Sequence, residues 1–198
     1  MIIIGGGGHG RVIIDLCRKA EERVAAILDD DSAKHETRIL GIPVTGGIHT
    51  DRLSDPAFLA IGDNKTRYHL AEKLNPPSWK TLIHPSATIA DDVQIGEGTV
   101  VMAGAVIQTG SRIGRHCIIN TGACIDHDCR VGDFVHVGPN CSFGGEIGIE
   151  EGTWVGLGST IVNQVQIGKW AIVGAGSTVT KSAPAEVKIS GSPAVIKG

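Results

Sequence analysis

The chain has 198 residues, of which 41% are hydrophobic and 4% aromatic, and its formal net charge at pH 7 is −3. This length holds one domain or two small ones. The slightly acidic charge argues against nucleic acid or an anionic membrane surface as a partner. No stretch approaches the roughly 18 consecutive apolar residues of a membrane span, so none is expected.

Targeting and redox signals favour a cytoplasmic protein. The first residues run into an apolar strand without a basic lead, which is not the pattern of a signal peptide. The five cysteines lack CxxC spacing, and such cysteines fit a reducing compartment. The sequence therefore predicts a cytoplasmic location.

Residues 1–77 alternate between predicted strands and helices, which indicates a small, Rossmann-like α/β domain with a parallel sheet. The predicted strands cover residues 2–4, 24–28 and 58–61, and the predicted helices cover residues 12–20 and 68–74. The sequence Asn75-Pro76-Pro77 is the expected boundary. Residues 78–198 then form the second domain.

A glycine run between the first strand and the first helix is the first candidate site. Gly5, Gly7 and Gly10 form a GxGxxG pattern, which is typical of phosphate binding at a helix N-terminus. The backbone amides of Gly7 and Gly8 would take the phosphate, and His9 would add a side-chain donor. The alternative is a tight strand-to-helix turn without a ligand.

Four further residues are expected to line the same crevice. Asp29 and Asp30 follow the second strand, where a carboxylate would accept hydrogen bonds from a ribose or a base edge. Gly62 and Asp63 follow the third strand. A dinucleotide-binding fold consists of two mononucleotide-binding halves, and a domain of about 75 residues supplies only one of them. We therefore expect one nucleotide or nucleotide sugar here, and not NAD.

From residue 89 to residue 179, every sixth residue is bulky and apolar. These sixteen anchors are Ile89, Ile95, Val101, Ile107, Ile113, Ile119, Ile125, Val131, Val137, Phe143, Ile149, Val155, Ile161, Ile167, Val173 and Val179. This period excludes a helix and an ordinary sheet and predicts a parallel β-helix, in which three hexads form one triangular coil. Small residues mostly stand two before the anchor, and we interpret Cys117, Cys129 and Cys141 there as core. Glycine often follows the anchor, as at Gly96 and Gly114, and is expected to supply unusual corner angles.

The second candidate site lies in the middle of the repeat. His127 stands two residues past an anchor, at a corner, between Asp126 and Asp128. A carboxylate beside an imidazole raises its pKa and orients it, as a general base requires. A lone surface histidine usually has no function, but Asn120 and His136 lie nearby and complete a candidate catalytic cluster.

Coil geometry separates the two histidines of this cluster. His127 falls on the corner after the first face, whereas Asn120 and His136 lie on the third face of successive coils. Half a coil separates the histidines, roughly 15 Å at the rise of a strand, so they cannot hydrogen-bond within one chain. Flat prism sides also favour packing of three subunits, and we expect a homotrimer with active sites between subunits. No metal site is expected, because His116, His127 and His136 fall on different parts of the coil.

Several segments together resemble bacterial sugar acyltransferases of the PglD and NeuD type. Besides the hexads, they are Gly5-Gly6-Gly7-Gly8-His9-Gly10, Leu28-Asp29-Asp30, Ile83-His84-Pro85, Ile119-Asn120-Thr121, Asp126-His127-Asp128-Cys129 and Ser190-Gly191-Ser192-Pro193-Ala194. The resemblance covers essentially the whole chain. It implies an acetyl-CoA-dependent transferase built as a trimer of left-handed parallel β-helices, whose small first domain holds a nucleotide-activated amino sugar.

The resemblance also implies roles for individual residues. His127 would be the base, Asp128 the neighbour that raises its basicity, and His136 a contact to acetyl-CoA near the thioester. The coenzyme's path would be lined by Gly145, Leu157 and Ala175. The nucleotide-sugar site would be lined by Gly7, Gly8, His9, Asp29, Asp30 and Gly62.

The favoured reaction is N-acetylation of the 4-amino group of a UDP-linked 4-amino-4,6-dideoxy sugar, as in bacillosamine synthesis. Transfer would be direct, with His127 as general base. A GDP-linked amino sugar is a close variant, and O-acetylation of sialic acid is the strongest rival enzyme activity. A non-catalytic β-helix scaffold is a further alternative, although it would need neither the His127 cluster nor the glycine turn.

Overall fold

The computed structural model describes residues 1–49 and 53–197. The chain divides into two compact units, Met1–Pro85 and Ser86–Gly198. The division lies eight residues after the expected boundary at residue 77, because the intervening segment is bonded to a strand of the first unit. The amide of Ala57 donates to the carbonyl of Ser78 at 3.0 Å, and the amide of Lys80 donates to the carbonyl of Ala57 at 2.9 Å.

The first unit contains a three-stranded parallel sheet and two helices, which confirms the predicted α/β class. Its elements are β1 (Ile2–Ile4), α1 (Gly8–Lys19), β2 (Ala26–Leu28), a 3-10 turn (Ser32–Lys34), β3 (Arg38–Ile39), β4 (Ile42–Pro43), β5 (Ala57–Leu59), α2 (Asn64–Lys73) and β6 (Leu82–Ile83). β1 lies between β2 and β5, in parallel register with both. The short antiparallel pair of β3 and β4 was not predicted. Neither described helix has the length and apolar content needed to cross a bilayer.

The second unit is a parallel β-helix, as predicted. Its strands are β7 (Thr88–Ile89), β8 (Gln94–Ile95), β9 (Val100–Val101), β10 (Val106–Ile107), β11 (Arg112–Ile113), β12 (Ile118–Ile119), β13 (Cys124–Ile125), β14 (Arg130–Val131), β15 (His136–Val137), β16 (Ser142–Phe143), β17 (Gly148–Ile149), β18 (Trp154–Val155), β19 (Thr160–Ile161), β20 (Gln166–Ile167), β21 (Ile172–Val173), β22 (Thr178–Val179), β23 (Lys188–Gly191) and β24 (Ala194–Lys197). Each strand pairs in parallel with the strand three positions later in the chain. The strands of this unit therefore form three faces, of which β7 begins the first, β8 the second and β9 the third. β23 continues the third face, and β24 pairs antiparallel with it.

The sixfold anchors form the core of this unit. Fourteen of the sixteen are buried, and Ile89 and Ile95 in the first coil are partly buried. Cys117, Cys129 and Cys141 are free and buried among them. Each thiol donates to a backbone carbonyl of the next coil, at 3.0 to 3.2 Å. The interior of the prism is narrow, so most side chains two positions before an anchor are small, although Val135, Ile147 and Val165 also pack there.

The glycines that follow the anchors serve a purpose other than the expected one. Left-handed backbone angles occur two residues later, as at Gly98 (φ +70°) and Asp128 (φ +57°). Gly96 is needed because a Cβ there would lie 2.6 Å from the backbone nitrogen of Arg115 in the next coil. Gly114 meets the backbone of Asp133 in the same way. The expectation about corner angles was therefore wrong, since stacking of adjacent coils, and not φ, excludes a side chain at Gly96 and Gly114.

Candidate functional site

The corner between the first and second faces carries His127. It follows β13, and the coils place Thr109 and Gly145 directly before and after it in the stack. The amide of Glu146 donates to the carbonyl of His127 at 2.9 Å, which ties this corner to the next coil. The side chain itself is 45% exposed. The backbone is thus held rigidly while the ring remains accessible to a ligand.

His127 and Asp128 form a hydrogen-bonded pair at this corner. The Nδ1 atom of His127 lies 2.9 Å from Oδ2 of Asp128. Because a carboxylate only accepts, Nδ1 carries the proton and Nε2 presents its lone pair. The hydrogen bond to Asp128 raises the pKa of His127, and the nearby charges of Asp126, Asp128 and Glu146 act in the same direction. The pair has the orientation and basicity that a general base requires.

Two glycines make room for this pair. Gly110 lies one coil before Asp128, and a Cβ there would stand 2.3 Å from its Oδ1 atom. Gly145 lies one coil after His127, and a Cβ there would stand 2.5 to 3.1 Å from three atoms of the imidazole. The predicted site residue Gly145 thus lies against the His127 ring, whereas the role of Gly110 was not predicted. The sequence could have indicated this role, because Gly110 stands one coil, or 18 residues, before Asp128.

A second pair lies on the third face. Asn120 follows β12, His136 begins β15, and these two strands are neighbours. The amide nitrogen of Asn120 lies 3.1 Å from Nε2 of His136, so the amide donates and the ring's other nitrogen carries its proton. Asn120 is therefore placed with His136 on the third face and away from His127, as the coil geometry predicted. The expected separation of the two histidines onto different parts of the coil agrees with these positions.

Trp154 extends the third-face pair by one coil. It stands beside His136 in register on β18, and the two ring centroids are 6.4 Å apart with a 39° tilt. The side chain is 46% exposed, which leaves a large aromatic surface next to a candidate coenzyme contact. Sequence reasoning missed Trp154, although its position 18 residues after His136 places it there.

Leu157 and Ala175 lie at the corner between the third and first faces, one coil apart. Leu157 is 60% exposed, and Ala175 is exposed as well. The glycines after them, Gly158 and Gly176, have no atom within 4 Å of where a Cβ would stand. This corner is therefore an open, partly apolar strip along the β-helix. Of the four predicted coenzyme residues, these two share a corner, while Gly145 lies at the His127 corner and His136 on the third face.

The glycine turn of the first unit presents free space at the start of α1. Gly7 is the N-cap of α1, and neither Gly7 nor Gly8 has an atom within 4 Å of a built Cβ. His9 lies in the first turn, where burial and the charge of Arg67 lower its pKa to about 4, so the ring is neutral near pH 7. Its buried Nε2 has no hydrogen-bond partner among residues 1–49 and 53–197. The turn therefore offers exposed backbone amides beside an uncharged imidazole.

Asp29 braces this turn from the end of β2. Its carboxylate accepts from the amide of Gly6 at 2.7 Å and from Nζ of Lys34 at 3.1 Å. Burial opposes the charged form, but the hydrogen bonds from Asp31, Gly6 and Lys34 outweigh it and lower the pKa of Asp29. Asp29 thus directly follows β2, as predicted, and its hydrogen bond to the amide of Gly6 stabilises the glycine turn. Lys34 was not predicted, because its link to Asp29 depends on the 3-10 turn.

The remaining predicted substrate residues lie in the same unit. Asp30 accepts from the amide of Ile48 at 2.8 Å. Asp63 caps α2 by accepting from the amide and hydroxyl of Thr66, and these hydrogen bonds lower its pKa. Gly62 has open space around a built Cβ. Arg67, buried at 1% exposure, donates to the carbonyls of Ile61 and Gly62 and orders the loop after β5. Sequence reasoning missed this arginine, because nothing in a helix pattern marks a buried charge.

No group of three or more His, Cys, Asp or Glu side chains in the described ranges 1–49 and 53–197 is placed to hold a metal ion. Proton transfer by the imidazole, hydrogen bonding by backbone amides and apolar contact at the open corner are the functions that these residues can provide.

Replacing Asp128 by asparagine is expected to shift the pH dependence of activity. The raised pKa of His127 means that activity rises with pH as the ring loses its proton, and the loss of the carboxylate lowers that pKa. The acidic limb of kcat/KM should therefore move to lower pH, with a lower plateau because the ring is less well oriented. Asp92, two coils earlier at the same corner, provides the control: Asp92→Asn should leave the limb in place. A limb that stays fixed in Asp128→Asn would contradict the role of this carboxylate.

Comparison with known proteins gives similarity over the whole chain. Residues 1–74 match the PglD N-terminal domain family. The structure of PerB from Caulobacter crescentus in complex with CoA and GDP-perosamine is 42% identical, with a TM-score of 0.92 over 100% of this chain and 96% of that one. The acetyltransferase domain of PglB from Neisseria gonorrhoeae, in complex with acetyl coenzyme A, is 32% identical, with a TM-score of 0.88 over 99% and 98%.

A curated relative matches a shorter region. UDP-N-acetylbacillosamine N-acetyltransferase from Bacillus subtilis is 44% identical over 108 residues, which are 51% of this chain and 50% of that protein. The match thus spans about half the length of this relative.

Proposed function

The chain belongs to the PglD and NeuD type family of bacterial sugar acyltransferases, and from this premise we propose that it transfers the acetyl group of acetyl-CoA to a nucleotide-linked amino sugar. The acceptor is the 4-amino group of a 4-amino-4,6-dideoxy sugar, most simply a UDP-sugar of the bacillosamine type. The observation that carries this proposal is the His127–Asp128 pair with its half-exposed imidazole. It lies in a chain that aligns end to end with a structure containing CoA and GDP-perosamine.

The geometry of the His127 corner supports direct transfer. The amine nitrogen attacks the thioester carbonyl, and its proton passes to Nε2 of His127, whose imidazolium is stabilised by Asp128. The C–N bond forms, the C–S bond breaks, and the proton leaves with the thiol of CoA. The amide of Gly145 has no acceptor in the described residues, and the open side of this glycine faces the His127 ring. In this proposal it is the donor that stabilises the oxyanion of the intermediate.

Each substrate has its own candidate surface in this proposal. The α/β domain of residues 1–77 binds the nucleotide through the turn at Gly7 and Gly8, with His9 beside it. The β-helix of residues 78–198 binds acetyl-CoA through His136 and the strip at Leu157 and Ala175. Asp29, Asp30, Gly62 and Asp63 shape the nucleotide pocket. Asn120 orients His136 and is thus a positioning residue.

The protein also works as a homotrimer in this proposal, with active sites shared between subunits. The support is the distance between candidates: His127 and His136 stand on different parts of the coil, so one copy alone does not bring them together. We place the enzyme in the cytoplasm. All five cysteines are free, which fits a reducing compartment.

A GDP-linked amino sugar is the second candidate acceptor, favoured by the similarity to a structure that contains GDP-perosamine. O-acetylation of sialic acid would need a similar general base, but free sialic acid carries no nucleotide that the glycine turn could bind. A non-catalytic scaffold has no use for the His127–Asp128 pair.

One assay tests the proposal. The protein is incubated with acetyl-CoA and a panel of UDP- and GDP-linked 4-amino sugars, with sialic acid and the 4-hydroxy analogues as controls, and release of CoA is followed. We expect release with one nucleotide class of amino sugar and none with its hydroxy analogue. Two results would contradict the proposal: acetylation of sialic acid only, and no acetylation of any acceptor in the panel.

A further inference from the structure

The third face of the β-helix carries a row of mostly apolar side chains that point outward. In each two-residue strand the anchor points inward, so the residue before it faces outward. On the third face these outward residues are paired in register from strand to strand and include Val100, Ile118, His136, Trp154 and Ile172. Val100 and Ile118 are buried, whereas Trp154 is exposed. The accessible apolar part of this row therefore begins beside His136.

The outward positions of the other two faces have a different composition. Those of the first face are mostly short residues: Thr88, Val106, Cys124, Ser142, Thr160 and Thr178. Those of the second face are mostly long and polar: Gln94, Arg112, Arg130, Gly148 and Gln166. The half-exposed indole of Trp154 therefore belongs to a property of the third face alone and not to the repeat in general.

Trp154 stands on the path between two proposed coenzyme contacts. Its ring centroid lies 6.4 Å from that of His136. Leu157 follows Trp154 by three residues, which span at most about 10 Å of extended chain, and Ala175 stands one coil beyond Leu157. Both Leu157 and Ala175 are exposed. The indole thus extends the open strip at Leu157 and Ala175 toward His136, and a continuous exposed apolar surface marks a binding site more often than a single exposed side chain does.

The chemistry of the indole selects one part of acetyl-CoA. The pantetheine arm joins the thioester to the phosphorylated nucleotide and consists of methylenes, two amides and a dimethyl-substituted carbon. An indole offers such an arm a rigid apolar surface and one N–H donor. The phosphates at the other end of the coenzyme instead require charged donors, which an indole lacks. A tryptophan beside the proposed thioester contact therefore suits the arm, and not the nucleotide.

We propose that Trp154 binds the pantetheine arm of acetyl-CoA and so positions the thioester at His136. This inference rests on the proposed function, since it takes His136 to be the contact to the thioester. Trp154 is a binding and positioning residue for the coenzyme, and it has no part in binding the nucleotide sugar.

Three variants test this role in the acetylation assay. Trp154→Ala should raise the KM of acetyl-CoA about tenfold, the effect of losing one aromatic anchor, with the KM of the nucleotide sugar unchanged. Trp154→Phe keeps an aromatic ring and should bring the KM of acetyl-CoA back to within about threefold of the parent value. Val195→Ala removes an exposed apolar side chain at the end of the same sheet and should leave both constants as they are. An unchanged KM of acetyl-CoA in Trp154→Ala, or an increase for the nucleotide sugar instead, would overturn the proposal.

A binding measurement separates this proposal from the proposed function. CoA is titrated into the full chain and its variants, and binding is followed by calorimetry and by tryptophan fluorescence. Trp154 is one of three tryptophans in the chain, so its own signal can be identified by substitution. We expect CoA to bind Trp154→Ala about tenfold more weakly than the parent protein. The fluorescence response to CoA should be lost in Trp154→Phe and kept in Trp170→Phe.

The outcomes of this titration are distinct. Weaker binding by Trp154→Ala, at a molar mass that light scattering shows to be unchanged, supports the Trp154 site even if no acceptor in the panel is acetylated. Equal affinity of Trp154→Ala and the parent for CoA, or a full fluorescence response in Trp154→Phe, would reject this site and leave acetyl transfer standing. A change in oligomeric mass would also reject it, because it would assign Trp154 to contacts between copies. Failure of the parent to bind CoA would contradict both proposals.

Discussion

Substitution of His127 by alanine is expected to lower kcat by about 10²–10⁴-fold, the usual contribution of a positioned general base. In the proposed mechanism the ring accepts the amine proton at Nε2, and no other imidazole stands at this corner of the described chain, because His136 lies on the third face. The KM of acetyl-CoA should change little, since its proposed contacts at His136, Leu157 and Ala175 are elsewhere on the β-helix. Steady-state rates of CoA release at saturating substrates measure the effect.

The fold should survive this change. The His127 side chain is about half exposed and its backbone hydrogen bonds do not depend on the ring. Asn163→Ala, two coils later at the same corner position, is the matched control and should keep full activity. Wild-type kinetics in His127→Ala would remove this residue from the mechanism, whereas loss of the folded state would show that the ring has a structural role instead.

Substitution of Gly145 by alanine should reduce kcat by roughly 10²-fold, the effect of a misplacement on the order of 1 Å at a reacting group. The added Cβ would stand 2.5 Å from Cε1 and 2.6 Å from Nε2 of His127, so the ring must turn away from its place. In turning, it loses its hydrogen bond to Asp128. Gly145 does not have a left-handed backbone angle, and alanine is therefore compatible with the main chain there.

A double-mutant cycle distinguishes this steric effect from a general disturbance. In the His127→Ala background, the alanine at position 145 meets no ring, and its further effect on kcat should be small. The melting temperature of Gly145→Ala should stay close to that of the parent protein. Full additivity of the two substitutions would contradict the contact between residue 145 and the ring.

Much of the fold follows from the sequence because the β-helix repeats. One apolar residue in six determines which side chains point inward, and the anchors from Val101 to Val179 are buried as predicted. The function assigned to glycine after the anchor was wrong for a physical reason. The pattern of Gly96 and Gly114 records the close approach of the next coil, a contact between residues about 18 apart that a local turn rule does not contain.

The candidate site was predictable where its contacts are local. Asp128 follows His127 directly, so their pairing could be inferred from adjacency. Asn120 and His136 were placed on the same face, but their hydrogen bond became evident only in three dimensions. Trp154 could have been found by adding one coil length to His136. Arg67 and Lys34 could not, because their contacts depend on the loop and 3-10 turn of the first unit.

A structure of the protein with CoA and its nucleotide amino sugar measures the central claim most directly, through the distance from Nε2 of His127 to the sugar's 4-amino nitrogen. A distance of about 2.6–3.2 Å, the reach of a general base, is the predicted result, with the thiol of CoA on the far side of that nitrogen. An amine bound beyond hydrogen-bond and single-water reach of His127, beside a different proton acceptor, would contradict the account.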